Sequence, residues 1–396
     1  MKSVLIVSGI NLFPTISGSK RRILNLINNF RAQGVEVFYL WAAPGNKETV
    51  IPMRRFFGKR LFLYNQPKRK RNYRVLFCRY LRKALKFMGL DKRVIVKYRA
   101  DDLYPAGLSE YVKSIVEKIH ADAVMCEYLF YSPIFLELPK RIVKIIDTHD
   151  KMADRHKLFL DRNSELPYFY TSEKEEKRAL ERADIIIAIQ KEEARYFRRL
   201  TNAQKTVLTI GDSIGTAAPY LVKNKNISFI GSSYRMNVLA CEWFIENILP
   251  EILRLDPEIE FLIAGTICRE IPDSSQYKKL GVVADVADVY QASRAVVNPI
   301  TQGTGLNIKT VEALAYAKPL VTTQKGARGI SGHQNALIVA KNEQDFAEQV
   351  VKIVNDDQLA IQLSQNAVRF IDSYNNKNID TLKKLISINV HNNAEG

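Results

Sequence analysis

Apolar residues recur along the chain in two alternating patterns, short β-branched runs and longer stretches with helical spacing. Val4–Val7 is a short apolar run that stops at Gly9, which predicts a first strand. Residues 11–19 hold Pro14, Gly18 and three Ser or Thr, so they predict a loop, with Ser19 suited to cap the next helix. Ile23, Leu24, Leu26, Ile27 and Phe30 then keep helical spacing until Gly34, and Val35–Trp41 predicts the next strand. After a basic interval the pattern predicts helix 108–119, strands Ala123–Met125 and Ile142–Ile146, helix 173–183, strand Ile185–Ile189 and helix 191–200. Residues 211–225 read as a linker. Alternation restarts with strand Ile227–Ile230, helix 237–254, strands Glu260–Ala264, Val282–Val283 and Ala295–Asn298, helix 308–316 and strand Pro319–Thr322. Helices near 343–354, 358–373 and about 377–387 close the chain. Two α/β units in tandem, each with a parallel sheet and right-handed crossovers, predict a ligand cleft between them at the strand C-termini.

Composition changes this picture in one respect. The 396 residues, 46% hydrophobic and 26% charged, are an ordinary globular balance and too many for one core. The four cysteines, Cys78, Cys126, Cys241 and Cys268, are scattered, which argues against a disulfide framework or structural zinc and fits a reducing cytosol. The opening apolar run is too short for a signal peptide, and no apolar stretch approaches the roughly 20 residues of a spanning helix. The charge, however, is local. Between Arg54 and Arg99, 17 Lys or Arg stand against one acid, Asp91, so this window holds +16 of the net +17. It includes the run Lys68–Arg71 and interleaves aromatics and leucines, among them Phe77, Tyr80 and Phe87. That mixture suits the headgroup region of an anionic bilayer, whereas a bland reading is a solvated helix pair.

The chemistry concentrates in Asn298-Pro299-Ile300-Thr301-Gln302-Gly303-Thr304-Gly305-Leu306-Asn307-Ile308-Lys309-Thr310-Val311-Glu312. A buried strand ends in a Gly-Thr-Gly turn and opens a helix. Glycines let a backbone approach a ligand, and free N–H groups at a helix start favour phosphate. Lys309 in the first turn opposes the helix dipole unless an anion is present, which argues for a bound diphosphate. Glu312, one turn on, is placed to accept hydrogen bonds from a ribose diol. The alternative is a glycine-rich loop that merely caps a packed helix.

From Phe229 to about Ile330 the chain resembles the family-4 glycosyltransferases. The resemblance rests on three stretches in order: Phe229-Ile230-Gly231-Ser232-Ser233 with Asn237, Trp243 and Pro250; Gly281-Val282-Val283-Ala284-Asp285-Val286; and the 299–321 segment. It implies an α/β chain of GT-B type, two Rossmann-like domains with parallel sheets facing an inter-domain cleft. The acceptor domain would span 1–212 with a basic insert at about 54–99, the nucleotide-sugar domain 213–375, and a C-terminal helix and tail 376–396. The implied donor site comprises Gly18, Gly231, Ser232, Val283, Gly303, Thr304, Gly305, Leu306, Asn307, Lys309 and Glu312, with Val283 in the loop that reaches the nucleobase. His149, Lys309 and Arg235 are the implied catalytic groups, and Glu127, Asp150 and Arg155 the acceptor side, with Arg155 and His156 at the mouth. Relatives carry a glutamate where this chain has Thr304, and a histidine before Glu127 where it has Cys126.

The resemblance further implies a retaining reaction with a nucleotide-sugar donor, no cofactor and no metal. No Asp-x-Asp pattern suggests a metal loop, and the pairs Asp101-Asp102 and Asp356-Asp357 fall in surface-like segments. With the basic window, it implies a lipid-linked glycan or lipopolysaccharide-type acceptor in cell-surface polysaccharide synthesis, on the cytoplasmic face of the membrane. Two rivals are a sugar-nucleotide epimerase and a nucleic-acid-binding protein using the basic window. No helix-turn-helix, zinc or RNP signature supports nucleic acid. A third is an idle membrane-bound scaffold. The oligomeric state is not encoded in these patterns.

Overall fold

The computed structural model describes residues 1–15, 17–65, 73–91, 93–159, 166–302, 305–330, 332–333 and 335–388. The chain divides into two compact units, 1–211 with 379–396, and 212–378.

The first unit runs β1 (Ser3–Ser8), α1 (Gly18–Ala32), β2 (Glu36–Trp41), α2 (Lys47–Phe57), β3 (Leu61–Leu63), α3 (Tyr73–Phe87) and α4 (Leu108–Ile119). It continues with β4 (Ala123–Glu127), β5 (Val143–Asp147), α5 (Glu173–Leu180), β6 (Ile185–Ala188), α6 (Lys191–Leu200) and β7 (Thr206–Thr209). The strands are parallel in the order β3-β2-β1-β4-β5-β6-β7. All of β1, β4 and β6 is buried, as expected for central strands covered on both faces. Alternate side chains feed two cores. Val4 and Ile6 meet Ile23, Ile27 and Phe30 of α1, while Leu5 and Val7 meet Val112, Ile115 and Val116 of α4.

The second unit runs β8 (Ile227–Ile230), α7 (Arg235–Asn247), α8 (Leu249–Leu255), β9 (Phe261–Ala264), β10 (Tyr277–Gly281) and α9 (Val286–Ala292). Then come β11 (Ala295–Asn298), α10 (Ile308–Ala315), β12 (Leu320–Thr322), β13 (Ile338–Val339), α11 (Glu343–Asn355) and α12 (Asp357–Ser387), whose residues from 379 on count with the first unit. The parallel order is β10-β9-β8-β11-β12-β13. Both sheets therefore reverse direction at their first strand, between β1 and β4 and between β8 and β11. Open α/β sheets bind ligands at such switch points, outside the strand C-termini.

Several expectations are corrected. The helix expected over 237–254 is two, because Pro250 sits in the first turn of α8 and starts a new helix there. The strand expected at Val282–Val283 lies earlier, at β10, and ends where Gly281 turns left-handed at φ +70°. The two last helices are one, α12, whose side chains Asn375 and Asn378 bond Ile214 and Ser213 rather than breaking it. Asp102 is buried, accepting from the Arg99 amide at 2.9 Å and from Arg74, so it is a structural acid rather than a surface one. The basic window is not uniformly free: Arg74 pairs with Asp102, Lys97 with Asp154 at 2.6 Å, and Arg82 lies 3.6 Å over the Tyr98 ring. Lys68–Arg71 lie outside the described residues.

Candidate active site

In the first unit, three elements converge where β1 and β4 diverge. Glu127 ends β4, Asp147 ends β5, and Thr148-His149-Asp150 follows; all five are buried or nearly so. Arg22, one turn into α1 and 2% exposed, grips Asp147 with Nε to Oδ2 at 3.0 Å and Nη2 to Oδ1 at 2.7 Å. Its Nη1 donates to the Ile210 carbonyl at 3.0 Å. His149 Nε2 is hydrogen-bonded to Glu127 Oε2 and lies 3.8 Å from Asp147 Oδ2. Burial pushes the Glu127 carboxyl up, the His149 contact draws it back, and the Asp147 carboxylate pushes it up again. Its other oxygen, Oε1, is buried without a hydrogen-bond partner among the described residues.

Glu127, Asp147 and His149 bring ligand-type atoms within 4.8 Å of one another. A metal would compete there with Arg22, which already occupies both oxygens of Asp147.

Two residues here hold left-handed backbone, Tyr128 at φ 70° and His149 at φ 57°. Such conformations cost free energy in non-glycine residues and persist where the surroundings enforce them. Tyr128 is enforced by its amide, which donates to Asp147 O at 2.9 Å. Its ring stacks on the imidazole of His149 at 4.3 Å and 15°, and on Phe130 at 5.3 Å. Ser19 lies inside the first turn of α1. Ser19 is therefore not the helix cap; Ser17 holds that position, and Gly18 is the first helical residue beside it.

Asp150 faces Arg155 at 3.4 Å, and also Glu193 of α6, which is 4% exposed. Burial, and then the Asp150 carboxylate, push the Glu193 carboxyl well up. Behind this loop, Glu176 of α5 accepts from the amides of Met152 at 2.7 Å and Ala153 at 3.3 Å and from Tyr196 Oη at 2.6 Å. Burial pushes it up to about 7 despite those bonds. His156 does not line the mouth; it is 3% exposed and packs 5.0 Å from the Tyr170 ring.

In the second unit, α7 and α10 start just past the two switch strands. Each begins with a cation, Arg235 as the first residue and Lys309 as the second. Neither helix has an acid in its first turn or a side-chain cap, so both starts suit an anion. Arg235 is exposed and 3.5 Å from Glu242. Glu312 is 6% exposed and Leu306 is buried, with Asn307 at the helix cap position. A relay fixes this corner: Asn298 Nδ2 to Thr310 Oγ1 at 2.8 Å, then Thr310 Oγ1 to Gly326 O at 2.6 Å. After β8, Gly231 touches Gly265 so closely that a Cβ on Gly265 would lie 2.2 Å from Gly231 O. Asn237 Nδ2 holds Ser232 through its carbonyl and its hydroxyl, both at 3.0 Å. Val283 is half-buried past β10, and Gly305 half-buried before α10. Gly303 and Thr304 lie outside the described residues.

Sequence reasoning missed Arg22, Tyr128, Glu193 and the Asn298–Thr310–Gly326 relay. Only Arg22 left a signal, a cation one helical position from the buried Ile23.

Residues 224–356 match the model of the family described as Glycosyl transferases group 1. An uncharacterized 44.6 kDa protein in the cps region of Klebsiella pneumoniae is 24% identical over 173 residues. That match covers 39% of this chain and 44% of the relative, less than half of its length. Among solved structures, the pneumococcal O-GlcNAc transferase GtfA in complex with UDP and GlcNAc aligns at TM-score 0.68, 11% identity and 99% of both chains. The S. aureus TarM mutant in complex with fondaparinux, alpha-GlcNAc-glycerol and UDP aligns at 0.66 with 15% identity, over 99% of this chain and 100% of that one. HepE of Anabaena with UDP-glucose aligns at 0.61 with 13% identity, over 98% and 100%. The duplicated parallel-sheet topology and these alignments give the chain the GT-B fold. The segment that matches the group 1 glycosyltransferase model lies within its second unit.

Proposed function

We propose that this chain is a retaining, metal-independent glycosyltransferase that moves a sugar from a nucleotide donor to a lipid-linked glycan or lipopolysaccharide-type acceptor. The observation that carries the reading is the pair of uncapped helix starts, Arg235 and Lys309, inside the segment that matches the group 1 family. As the bond from the anomeric carbon to the diphosphate breaks, negative charge grows on the leaving oxygen. Two cations and the helix N–H groups offset it without reorganising. The acceptor hydroxyl bonds to the anomeric carbon from the leaving-group face, and its proton passes to the departing phosphate. Glu312 binds the ribose, and Val283 lies against the base. In the first unit, His149 meets the transferred sugar, held by Glu127 and Tyr128, while Asp150 and Arg155 bind the acceptor.

A polysaccharide role is supported by the cps-region relative. The proposal places the enzyme on the cytoplasmic face of a membrane, and no described helix is long and apolar enough to cross one. The test is thermal-shift screening against sugar nucleotides, UDP-sugars first, in the presence of chelator. The expected result is a saturable rise for one donor, unchanged by chelator, followed by NMR of the product showing the donor's anomeric configuration. A stabilising donor that is isomerised without an acceptor would replace this reading with an epimerase. Stabilisation that needs added metal would remove the metal-independent mechanism.

A further inference from the structure

Helix α3 presents two apolar stripes. Val75, Cys78 and Leu85 form the inner one and are buried. The outer one recurs at helical spacing: Tyr73 80% exposed, Phe77 66%, Tyr80 67%, Phe87 95% and Met88 56%. With 100° per residue, these five side chains fall within one side of the helix, opposite the buried stripe. Arg79, Lys83 and Lys86 line one flank of it and are exposed. Arg79 and Lys83 have no carboxylate partner among the described residues. The cations that do pair, Arg74 with Asp102 and Arg82 over Tyr98, point inward or to the other flank.

Water is a poor solvent for such a stripe, and a protein partner's apolar groove would not call for a cationic flank. Aromatic rings bounded by lysine and arginine match an anionic lipid headgroup layer, where rings sit at the acyl boundary and cations reach phosphate. A second observation ties this face to the site. A cavity of about 240 Å³ opens beside α3, lined by Arg82, Leu85, Lys86, Tyr98, Tyr168 and Tyr170. Tyr98 of that lining stacks on Phe169 at 5.3 Å, Phe169 meets Phe130 at 5.5 Å, and Phe130 stacks on Tyr128, which lies on the imidazole of His149. The outer helix and the acceptor-side cluster are thus joined through one chain of rings.

We propose that the outer stripe of α3 seats the first unit on an anionic bilayer, with the cavity beside it leading a membrane-borne acceptor toward Tyr128 and His149. This deepens the acceptor reading of the proposed function. It is tested without any sugar substrate, so donor binding by the second unit can fail or hold independently.

The full chain is floated with vesicles of phosphatidylglycerol and phosphatidylcholine, and with vesicles of phosphatidylcholine alone. The wild type is expected on the anionic vesicles, with binding that weakens as salt rises. Phe77→Ser with Phe87→Ser should lower the partition coefficient about tenfold or more, as should Arg79→Glu with Lys83→Glu. Ile361→Ser, an exposed apolar residue of the second unit, should leave it unchanged. Circular dichroism and the unfolding midpoint establish that each variant is folded, because these side chains bury nothing in the core. Equal binding to both vesicle types, or full binding by the folded double-Phe variant, overturns the proposal. Sedimentation showing a dimer that the double-Phe variant dissociates, without vesicle binding, overturns it in favour of a second copy.

Discussion

Replacing Arg22 by methionine isolates the energetics of the first-unit cluster. The change removes three charge-assisted or carbonyl hydrogen bonds, two to Asp147 and one to Ile210, and fills much of the space with apolar atoms. Asp147 has no exposure to water, so its carboxylate is left buried beside Glu127 with its countercharge gone. Breaking one side of such a pair costs about 3–5 kcal/mol, far more than a surface ion pair is worth. Asp147→Asn should cost a similar amount by stranding the guanidinium. The double variant should recover at least about 2 kcal/mol relative to the sum of the singles, since neither charge is then orphaned. The chain has two tryptophans, Trp41 in β2 and Trp243 in α7, one in each unit. In a Trp243→Phe background, urea unfolding followed by tryptophan fluorescence therefore reports the first unit alone, which avoids fitting two domains as one transition. A single-variant cost under about 1 kcal/mol, or strict additivity in the double variant, would refute the buried-charge argument.

Lys309→Ala should lower turnover about a hundredfold if its charge offsets the leaving diphosphate, whereas Glu312→Ala should chiefly weaken donor affinity in calorimetry; a loss under threefold for the lysine would remove it from the reaction. Gly265→Ala should destabilise the second unit by more than about 2 kcal/mol, because φ is +100° and the new Cβ would meet the Gly231 carbonyl; an unchanged Trp243 transition would contradict the close approach. Glu176 is held near 7 in the folded state against 4.5 in the free side chain, so the native state keeps a proton that the unfolded chain releases. Its contribution is therefore full below about pH 4.5 and is lost as pH rises through about 7, amounting to about 3 kcal/mol. Urea midpoints for Glu176→Gln should fall less across that window than the wild type's; parallel curves would count against it.

The fold class was readable because central strands such as Val4–Val7 and Ile185–Ala188 are buried on both faces and carry continuous apolar runs. The strands misread or missed, β3, β7, β10 and β13, all sit at sheet edges. Edge strands bury less and tolerate residues such as Lys278 and Lys279, so their pattern is weak. The candidate site divides the same way. Lys309 and Glu312 stand out because a strand end at Asn298 and a helix start at Ile308 flank one glycine-containing turn. Arg22 and Asp147 are 125 residues apart, and Tyr128 matters only through the ring it lies on. Contacts of that kind arise from the meeting of elements and leave no local periodicity.

The Tyr128 ring lies nearly parallel to the imidazole of His149 at 4.3 Å. An aromatic current at that distance shields the imidazole's carbon-bound protons, displacing their magnetic resonances from those of the other histidines, of which the chain has five in all. The fold thus carries its own spectroscopic label at the Glu127–Asp147–His149 cluster. That one shifted signal reports whether the ring stays stacked, with no probe attached.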